Sequence, residues 1–287
     1  MLVIHSGLRP HMPMLRAPFR VLLAALLVAP LLLSGCRSTQ PPGALTPTEA
    51  EALQQRADSL AQAADSLEQM ARLRNVNLHS TLWQQTAVEY DGTVRGAYQL
   101  ADLMARRALE DSLWTAAIEQ TEMEASRYTS LPPAVVLDVD ETVLDNSAYQ
   151  ARLVRQNETY DTESWQAWCR EAQADAVPGA LAFTRAMDER GVQVIYLTNR
   201  DAEVEAATRE NLRQLGFPIR ETEISDAVLT QGEREGWEPK SPRRQWVAEQ
   251  FRILLLIGDN FGDFAAEVET SPGERQQTAN AFQEYWG

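Results

Sequence analysis

The most informative segment of the chain is Ala134-Val135-Val136-Leu137-Asp138-Val139-Asp140-Glu141-Thr142. Its first four residues are apolar, which predicts a buried strand of a parallel sheet. Asp138 and Asp140 follow directly, and a buried carboxylate costs free energy unless it is paired or bound to a metal. The segment therefore predicts a core strand that delivers two carboxylates to one edge of a sheet.

Short apolar runs continue to alternate with amphipathic segments further along the chain. We predict strands at 134–137, 192–197 and 253–257, and helices at 179–189, 202–215 and 242–251. This alternation is typical of a doubly wound α/β domain. Ligands of such domains bind beyond the carboxyl ends of the strands, so the residues just after each strand are the candidate site residues.

Polar side chains follow the second predicted strand. Thr198 and Asn199 lie where the next helix is expected to begin, and hydroxyl and amide groups beside a helix N-terminus can hold phosphate oxygens. An ordinary helix N-cap would place Thr198 in the same way. We interpret both residues as candidate substrate contacts.

The loop after the third predicted strand, 258–264, reads Gly-Asp-Asn-Phe-Gly-Asp-Phe and supplies Asp259 and Asp263. Together with Asp138 and Asp140 they form a group of carboxylates that would repel one another strongly without a cation. The sequence therefore predicts a hard divalent metal ion at this edge of the sheet. We expect it to be Mg²⁺.

Lys240 is the only lysine among 26 basic residues, and it lies at the start of a predicted helix. A chain that otherwise uses arginine throughout departs from that habit only here. The position favours a compact ammonium over a planar guanidinium. The alternative is that one lysine is present by chance.

The composition excludes several classes of protein. The formal net charge is −15, so the surface as a whole is unsuited to binding nucleic acid or anionic lipid. The three histidines are His5, His11 and His79. The first two lie in a segment that we expect to be removed, so multi-histidine zinc sites and Ser-His-Asp hydrolases are disfavoured.

The N-terminus has the order of a secretory signal. Residues 1–20 carry three arginines and no acidic residue, 21–33 are apolar, and Leu33-Ser34-Gly35-Cys36 resembles the bacterial lipobox. We therefore predict a signal peptide at 1–35, lipidation of Cys36 and attachment to the cell envelope. Arg37, in the place of an aspartate, favours the outer membrane. The alternative is a buried apolar helix with an incidental cysteine.

We predict a tether at 36–47, an N-terminal helical region at 48–123 and the α/β domain at 131–287. Within the helical region, alanine and leucine recur at heptad spacing between 50 and 71. This face predicts a close helical partner: another copy of the chain, a spacer coiled coil or the protein's own body. A second helical segment, 82–123, is expected to cover the α/β domain.

Taken together, the motifs resemble the haloacid dehalogenase (HAD) superfamily of phosphotransferases: DxDxT at 138–142, a hydroxyl after the second strand, a lysine, and GDxxxD at 258–263. More narrowly, the chain resembles the class C bacterial acid phosphatases, a lipoprotein family with 5′-nucleotidase members. The segments that carry this resemblance are 136–147, 178–180, 196–200, 240–241 and 258–264. The segment 83–90 resembles that family's N-terminal helical signature. The resemblance runs from about residue 83 to the end.

The resemblance implies a role for each motif residue. Asp138 would be the nucleophile, and Asp140 would protonate the leaving alcohol and then activate water. The metal would be bound by the carboxylate of Asp138, the backbone carbonyl of Asp140 and Asp259, with Asp263 close by. Thr198 and Lys240 would hold the phosphoryl oxygens, a contribution that stabilises the charge developing there. 

The function implied is a lipid-anchored, Mg²⁺-dependent acid phosphatase. Dehalogenase members of the superfamily lack the second aspartate, so Asp140 favours phosphate-ester hydrolysis over carbon–halogen cleavage. The alternative from another class is a lipid-anchored binding or scaffold protein that keeps the fold without turnover.

The expected substrates are small phosphomonoesters, with 5′-nucleotides among them. A small cap is expected at about 147–177, where Trp165 or Trp168 would stack on a nucleobase. The alternative is that both are core tryptophans. The resemblance also implies a further C-terminal motif after 286–287, which would contribute an aromatic to the substrate pocket. Either the sequence is truncated or the pocket lacks this wall, so we expect the preference for nucleotides to be weak. Cleavage before Cys36 leaves 41 acidic against 23 basic residues, a net charge of −18. This charge repels polyanions, so we expect that polynucleotides are not hydrolysed.

Overall fold

The computed structural model describes residues 46–121, 123–221, 226–266 and 271–286, and it leaves out the side chains of 68–76 and 282–286. The predicted signal peptide, Cys36 and all but the last two residues of the predicted tether lie outside these ranges. None of the helices in the described ranges is long and apolar enough to cross a membrane.

The centre of the fold is a four-stranded parallel sheet in the order β5-β4-β1-β6. The strands are β1 (Pro133–Leu137), β4 (Gln193–Asp201), β5 (Val228–Gln231) and β6 (Arg252–Ile257). The central strand β1 pairs with β4 on one side and β6 on the other. A second, antiparallel pair is formed by β2 (Leu144–Asp145) and β3 (Asp175–Ala176).

Helices cover both faces of the parallel sheet. Alternate residues of β1 enter two different apolar cores: Val135 and Leu137 pack on one face, and Ala134 and Val136 on the other. The sheet is parallel and packed on both faces, so the predicted doubly wound α/β architecture is confirmed. Burial on both faces also explains why the sequence of β1 is a continuous apolar run.

Ten helices are described: α1 (Pro47–Thr86), α2 (Val88–Glu110), α3 (Ile118–Thr121), α4 (Ala125–Tyr128), α5 (Ser147–Gln156), α6 (Thr162–Glu171), α7 (Ala180–Glu189), α8 (Glu205–Leu215), α9 (Lys240–Ala248) and α10 (Pro272–Trp286). Two short 3₁₀ turns, Ala202–Val204 and Phe261–Asp263, lie close to strand ends.

The predicted second helical segment is shorter than expected. Helix α2 ends at Glu110 because the Asp111 carboxylate accepts a hydrogen bond from Leu113 N (2.9 Å) and forms a turn. The chain then runs beside β6, where Ala116 N donates to Ile253 O (2.9 Å). Contacts with the sheet therefore replace the expected helix over 111–117.

Two other boundaries and one strand also differ from expectation. Strand β4 continues to Asp201, so Thr198 and Asn199 lie within the strand instead of at the start of a helix. Helix α9 begins at Lys240, two residues before the predicted start. The short strand β5 was not predicted. Leu53, Leu60 and Leu67 of α1 are exposed, and the partner predicted for this heptad face remains a prediction.

The segment predicted as a cap contains α5 and α6, which lie in sequence between β2 and β3. Side-chain hydrogen bonds of Asn211 and Gln166 are among the contacts that join this segment to the α/β body. Asn211 exchanges hydrogen bonds with the backbone of Ala174 (3.0 and 2.9 Å), and Gln166 Nε2 donates to Asp201 Oδ2 (2.9 Å). The second contact places α6 beside the carboxyl end of β4.

Candidate active site

Asp138 directly follows β1, and its backbone N–H donates to Ile257 O (2.8 Å), which continues the pairing with β6. This pairing holds the residue in the sheet, so its carboxylate is buried. The Lys240 ammonium, at the first residue of α9, bonds both Asp138 Oδ1 and Asp263 Oδ1, the latter at 2.7 Å. One buried cation therefore links the β1 motif to the loop after β6.

The electrostatics of this group follow from burial and charge. Burial raises the pKa of Asp138; Lys240 opposes this shift, and the carboxylates of Asp263 and Asp140 add to it. Burial alone would lower the pKa of Lys240, but its two carboxylate partners outweigh burial and raise it. Lys240 is therefore held in its charged form.

Asp138, Asp259 and Asp263 form a carboxylate cluster, in which one oxygen of each lies within 4.8 Å of the others. Asp259 and Asp263 come from the loop after β6. Asp263 Oδ2 accepts from Asn260 N (2.9 Å), and Asn260 Oδ1 accepts from Gly262 N (3.1 Å). These reciprocal bonds shape the loop so that both aspartates approach Asp138.

Gly258 is required by this loop because Asp263 packs directly against its Cα. A Cβ at Gly258 would lie 2.1 Å from Asp263 Oδ2 and 2.6 Å from Asp263 Cβ. These separations are shorter than any van der Waals contact, so any other residue would displace the Asp263 carboxylate. The glycine of the GDxxxD motif thus has a steric explanation.

The Asp140 carboxylate has different partners from the carboxylate cluster. Its Oδ1 accepts from Asn146 Nδ2 (2.9 Å) and from Arg200 Nε (3.0 Å), and its Oδ2 accepts from Thr198 Oγ1 (3.2 Å). Arg200 is only 1% exposed and also donates to Asn146 Oδ1 (3.2 Å). Asp140 is therefore fixed by three side chains.

The structure brings Thr198 into the site and gives Asn199 another contact. The Thr198 side chain is buried beside Asp140, and its hydroxyl accepts from Arg200 N (3.1 Å). Asn199 is exposed, and its Oδ1 accepts from Arg243 Nη2 (2.8 Å). A contact between Asn199 and a substrate remains a prediction.

The two tryptophans of α6 have different environments. Trp168 is 3% exposed and donates from Nε1 to Asn146 Oδ1 (2.8 Å). It offers no free face to a nucleobase, so the alternative of a core tryptophan describes it. Trp165 is half-buried, and the Arg200 guanidinium lies 5.5 Å from its ring centroid. Trp165 therefore remains the aromatic candidate for substrate contact.

The N-terminal helices also contact the first motif. The Tyr98 hydroxyl of α2 donates to Thr142 O (2.6 Å), and Gln84 Nε2 of α1 donates to Asp145 Oδ1 (2.9 Å). These bonds hold the loop that follows Asp138 and Asp140. The end of α1 and helix α2 thus support the site from outside the α/β body.

Sequence reasoning assigned no role to Arg200 or Asn146, although both lie in segments that carried the family resemblance. The sequence pattern did not indicate a role for either residue, because asparagine and arginine near a strand end are usually exposed surface residues. The burial of Arg200 and its bond to Asp140, 60 residues away in sequence, appear only in three dimensions.

This arrangement suits phosphoryl chemistry. A buried carboxylate beside an ammonium can attack phosphorus, a second carboxylate with fixed orientation can transfer a proton, and clustered oxygen ligands can hold a hard cation. All three parts meet at the carboxyl edge of one parallel sheet.

Comparisons with known proteins agree with this geometry. The chain is similar to the class C acid phosphatase of Bacillus anthracis, both in the structure with tungstate bound (TM-score 0.61, 31% identity, 74% of this chain and 80% of that chain) and in a second structure (TM-score 0.60, 30% identity, the same coverage). These likenesses confirm the predicted resemblance to class C acid phosphatases.

Plant proteins are more distant relatives. Acid phosphatase 1 of Solanum lycopersicum is 28% identical over 128 residues, 45% of this chain and 50% of its own length. The stem 28 kDa glycoprotein of Glycine max is 23% identical over 137 residues, 45% of this chain and 51% of its own length. The chain thus spans about half the length of the curated relatives that it matches.

A family model described as HAD superfamily, subfamily IIIB (acid phosphatase) matches residues 67–282, which include α2, the whole sheet and every residue of the candidate active site described above. The chain therefore belongs to the acid phosphatases of HAD subfamily IIIB.

Proposed function

We propose that the protein is a Mg²⁺-dependent phosphomonoesterase that works through an aspartyl-phosphate on Asp138. The observation that carries the proposal is the Lys240 ammonium between Asp138 and Asp263, beside the carboxylate cluster. The proposed nucleophile, the cation for the phosphate and the proposed metal ligands would therefore lie together at one edge of the sheet, where Asp138 and Lys240 are buried and Asp259 is exposed.

The residues present fit a divalent cation. The three carboxylates of the cluster carry a formal charge of −3, and Lys240 offsets one unit, so the formal charge left is −2. The donors are all oxygens, which Mg²⁺ prefers. Asp138, Asp259 and Asp263 would hold the ion, together with the Asp140 backbone carbonyl implied by the family resemblance. The bound ion would stabilise negative charge on the phosphoryl oxygens.

The reaction would proceed in two steps at the protein's own groups. The Asp138 carboxylate forms a bond to phosphorus as the bond to the ester oxygen breaks, and Asp140 gives that oxygen its proton. Asp140, now ionised, then takes a proton from water, which attacks the phosphoryl group and releases Asp138 and inorganic phosphate. The bonds from Asn146 and Arg200 to Oδ1 keep Asp140 oriented in both steps and leave Oδ2 for the proton transfer.

Lys240 would neutralise charge during the transfer. Its ammonium already lies against the nucleophile, so a phosphoryl group bound there would meet a preorganised donor. The Thr198 hydroxyl donates its single proton to Asp140 Oδ2 (3.2 Å) in this structure and, with substrate bound, would donate it to a phosphoryl oxygen instead.

The proposed substrates are small phosphomonoesters, including 5′-nucleotides. Trp165 supports this proposal because it is half-buried and lies beside Arg200, a partner of Asp140. The negative net charge repels polynucleotides at long range, so a single nucleotide is the largest nucleic-acid substrate expected.

We also propose that the protein is attached to the cell envelope through lipid on Cys36. The support is the order of charges, the apolar run and the small residues before Cys36. A strongly acidic protein gains little from electrostatic attraction to anionic lipid, so attachment would depend on the acyl chains.

The experiment that tests the activity is hydrolysis of p-nitrophenyl phosphate by the purified full-length protein, with Mg²⁺ and with the chelator EDTA. We expect turnover with Mg²⁺ and its loss with EDTA, restored by excess Mg²⁺. Absence of turnover under all conditions would favour the alternative, a binding or scaffold protein that keeps the fold. The assembled set of Asp138, Asp140, Thr198 and Lys240 speaks against that alternative.

A further inference from the structure

Helix α9 carries three buried cations on one face. Lys240 is followed at i+3 and i+4 by Arg243 and Arg244, and residues at these spacings lie side by side on a helix. Their exposed fractions are 7%, 0% and 1%. A buried guanidinium must satisfy five N–H donors, so the oxygens around each arginine define what it does.

The Arg243 guanidinium donates hydrogen bonds to oxygens of β4, of β5 and of the turn that precedes α9. Its acceptors are the Asn199 side chain (2.8 Å) and the backbone carbonyls of Thr198, Leu229 (3.4 Å), Glu238 (3.2 Å) and Pro239 (3.2 Å). Thr198 lies on β4, and Pro239 directly precedes Lys240. The guanidinium therefore ties the strand end that carries Thr198 to the turn that begins α9.

Arg244 contacts the loop after β6 and helix α3. Its Nη1 donates to Gly262 O (3.2 Å) and Asp263 O (3.3 Å), in the loop that supplies the carboxylate cluster. Its Nε donates to Glu119 Oε1 of α3 (2.9 Å). Arg244 therefore ties the metal-ligand loop to α9 and α3.

We propose that Arg243 and Arg244 are positioning residues with separate tasks: Arg243 aligns Thr198 and Lys240 for the phosphoryl group, and Arg244 aligns Asp263 for the metal ion. This inference rests on the proposed phosphatase function. Both arginines act through other residues, since Arg243 donates to the five acceptors named above and Arg244 donates to Glu119, Gly262 and Asp263, with Nη2 bonded to Ser241 Oγ (3.3 Å). A lysine donates from a single ammonium with three N–H bonds, so it cannot reach all the acceptors that surround either guanidinium.

The test uses Arg243→Lys and Arg244→Lys in the full-length protein, with Arg252→Lys as the matched control. Arg252 is also a buried arginine that donates to backbone carbonyls, those of Ala108 (3.0 Å), Asp111 (2.7 Å) and Trp114 (3.3 Å). It lies at the first residue of β6, at the opposite end of that strand from Asp259. It reports the cost of disturbing a buried arginine away from the site.

Two affinities are measured by isothermal titration calorimetry, without turnover: that of Mg²⁺ alone, and that of inorganic phosphate at saturating Mg²⁺. For Arg244→Lys we expect the Mg²⁺ affinity to fall about 10- to 100-fold, as for other residues that orient metal ligands. For Arg243→Lys we expect the phosphate affinity to fall about tenfold. The phosphate affinity of Arg244→Lys and the Mg²⁺ affinity of Arg243→Lys should each stay within about twofold of the parent's. In Arg252→Lys both affinities should stay within about twofold.

Equal losses of both affinities in the two site variants, or matching losses in Arg252→Lys, would overturn the proposal. If Arg244→Lys does not fold, Glu119→Gln serves instead: it keeps Arg244 but removes the charge of its partner, and unchanged Mg²⁺ affinity would count against the metal task. If neither Arg243→Lys nor Arg243→Gln folds, Arg243 is a structural residue and its phosphate task is refuted. Because the titrations need no hydrolysis, failure of the phosphatase assay remains a separate result.

Discussion

Lys240 Nζ lies 2.7 Å from Asp263 Oδ1 and simultaneously bonds Asp138, so a single ammonium joins the motif after β1 to the loop after β6. Both carboxylates and the lysine are buried. This bridge explains why the position uses lysine, because a compact charge fits between two close carboxylates while a planar guanidinium demands more room.

Lys240→Arg is expected to lower kcat about 100-fold or more, the effect of losing one preorganised donor. The larger guanidinium cannot occupy the same place between Asp138 and Asp263. The measurement is kcat for p-nitrophenyl phosphate, with Arg106→Lys, an exposed arginine on α2, as the control. An arginine variant as active as the parent would show that the lone lysine is there by chance.

Gly258→Ala is expected to weaken Mg²⁺ binding about tenfold or more, because its Cβ would displace the Asp263 carboxylate. Gly96→Ala is the matched control, since a Cβ at Gly96 meets nothing within 4 Å. Mg²⁺ titrations of both variants, followed by calorimetry, make the comparison. If Gly258→Ala binds Mg²⁺ as tightly as Gly96→Ala, Asp263 does not hold the ion.

Trp165→Ala is expected to raise KM for AMP about tenfold while changing KM for p-nitrophenyl phosphate less, because base stacking contributes about 1–3 kcal/mol. Trp168→Ala should instead lower the free energy of unfolding by about 3–5 kcal/mol, the usual cost of removing a buried aromatic side chain. Steady-state kinetics and urea unfolding of both variants distinguish these roles. Equal KM shifts for the two substrates in Trp165→Ala would exclude nucleobase stacking.

Cys36→Ser is expected to abolish lipid attachment, whereas Cys169→Ser should keep it, since Cys169 is buried in the described fold. The measurement is incorporation of labelled palmitate in a bacterial host, together with fractionation of membranes. Label retained by Cys36→Ser would falsify the lipobox interpretation.

The convergence of Asp138, Lys240 and Asp263 was predictable from sequence for a topological reason. Each residue follows a parallel strand or begins a helix at the same edge of the sheet, so the order of elements alone brings them together. The apolar runs of the three longer strands were equally visible because burial on both faces leaves little room for polar residues.

The remaining features depend on contacts that the sequence pattern does not encode. Strand β5 has four residues, too few for a clear pattern, and 111–117 follows the edge of β6 in place of its expected helix. Trp168 was indistinguishable from Trp165 until its bond to Asn146 placed it in the core. Likewise, the tasks of Arg200 and Arg243 depend on partners 60 and 45 residues away.

The proposed mechanism depends on Asp138 as the nucleophile. The most direct test is kcat for p-nitrophenyl phosphate in Asp138→Asn at saturating Mg²⁺, with the fold checked by circular dichroism and metal loading by calorimetry. An amide cannot attack phosphorus, so we expect a loss of at least about 1,000-fold, as for other removed nucleophiles. A folded, metal-loaded Asp138→Asn protein that keeps more than about one hundredth of the parent's turnover would contradict it.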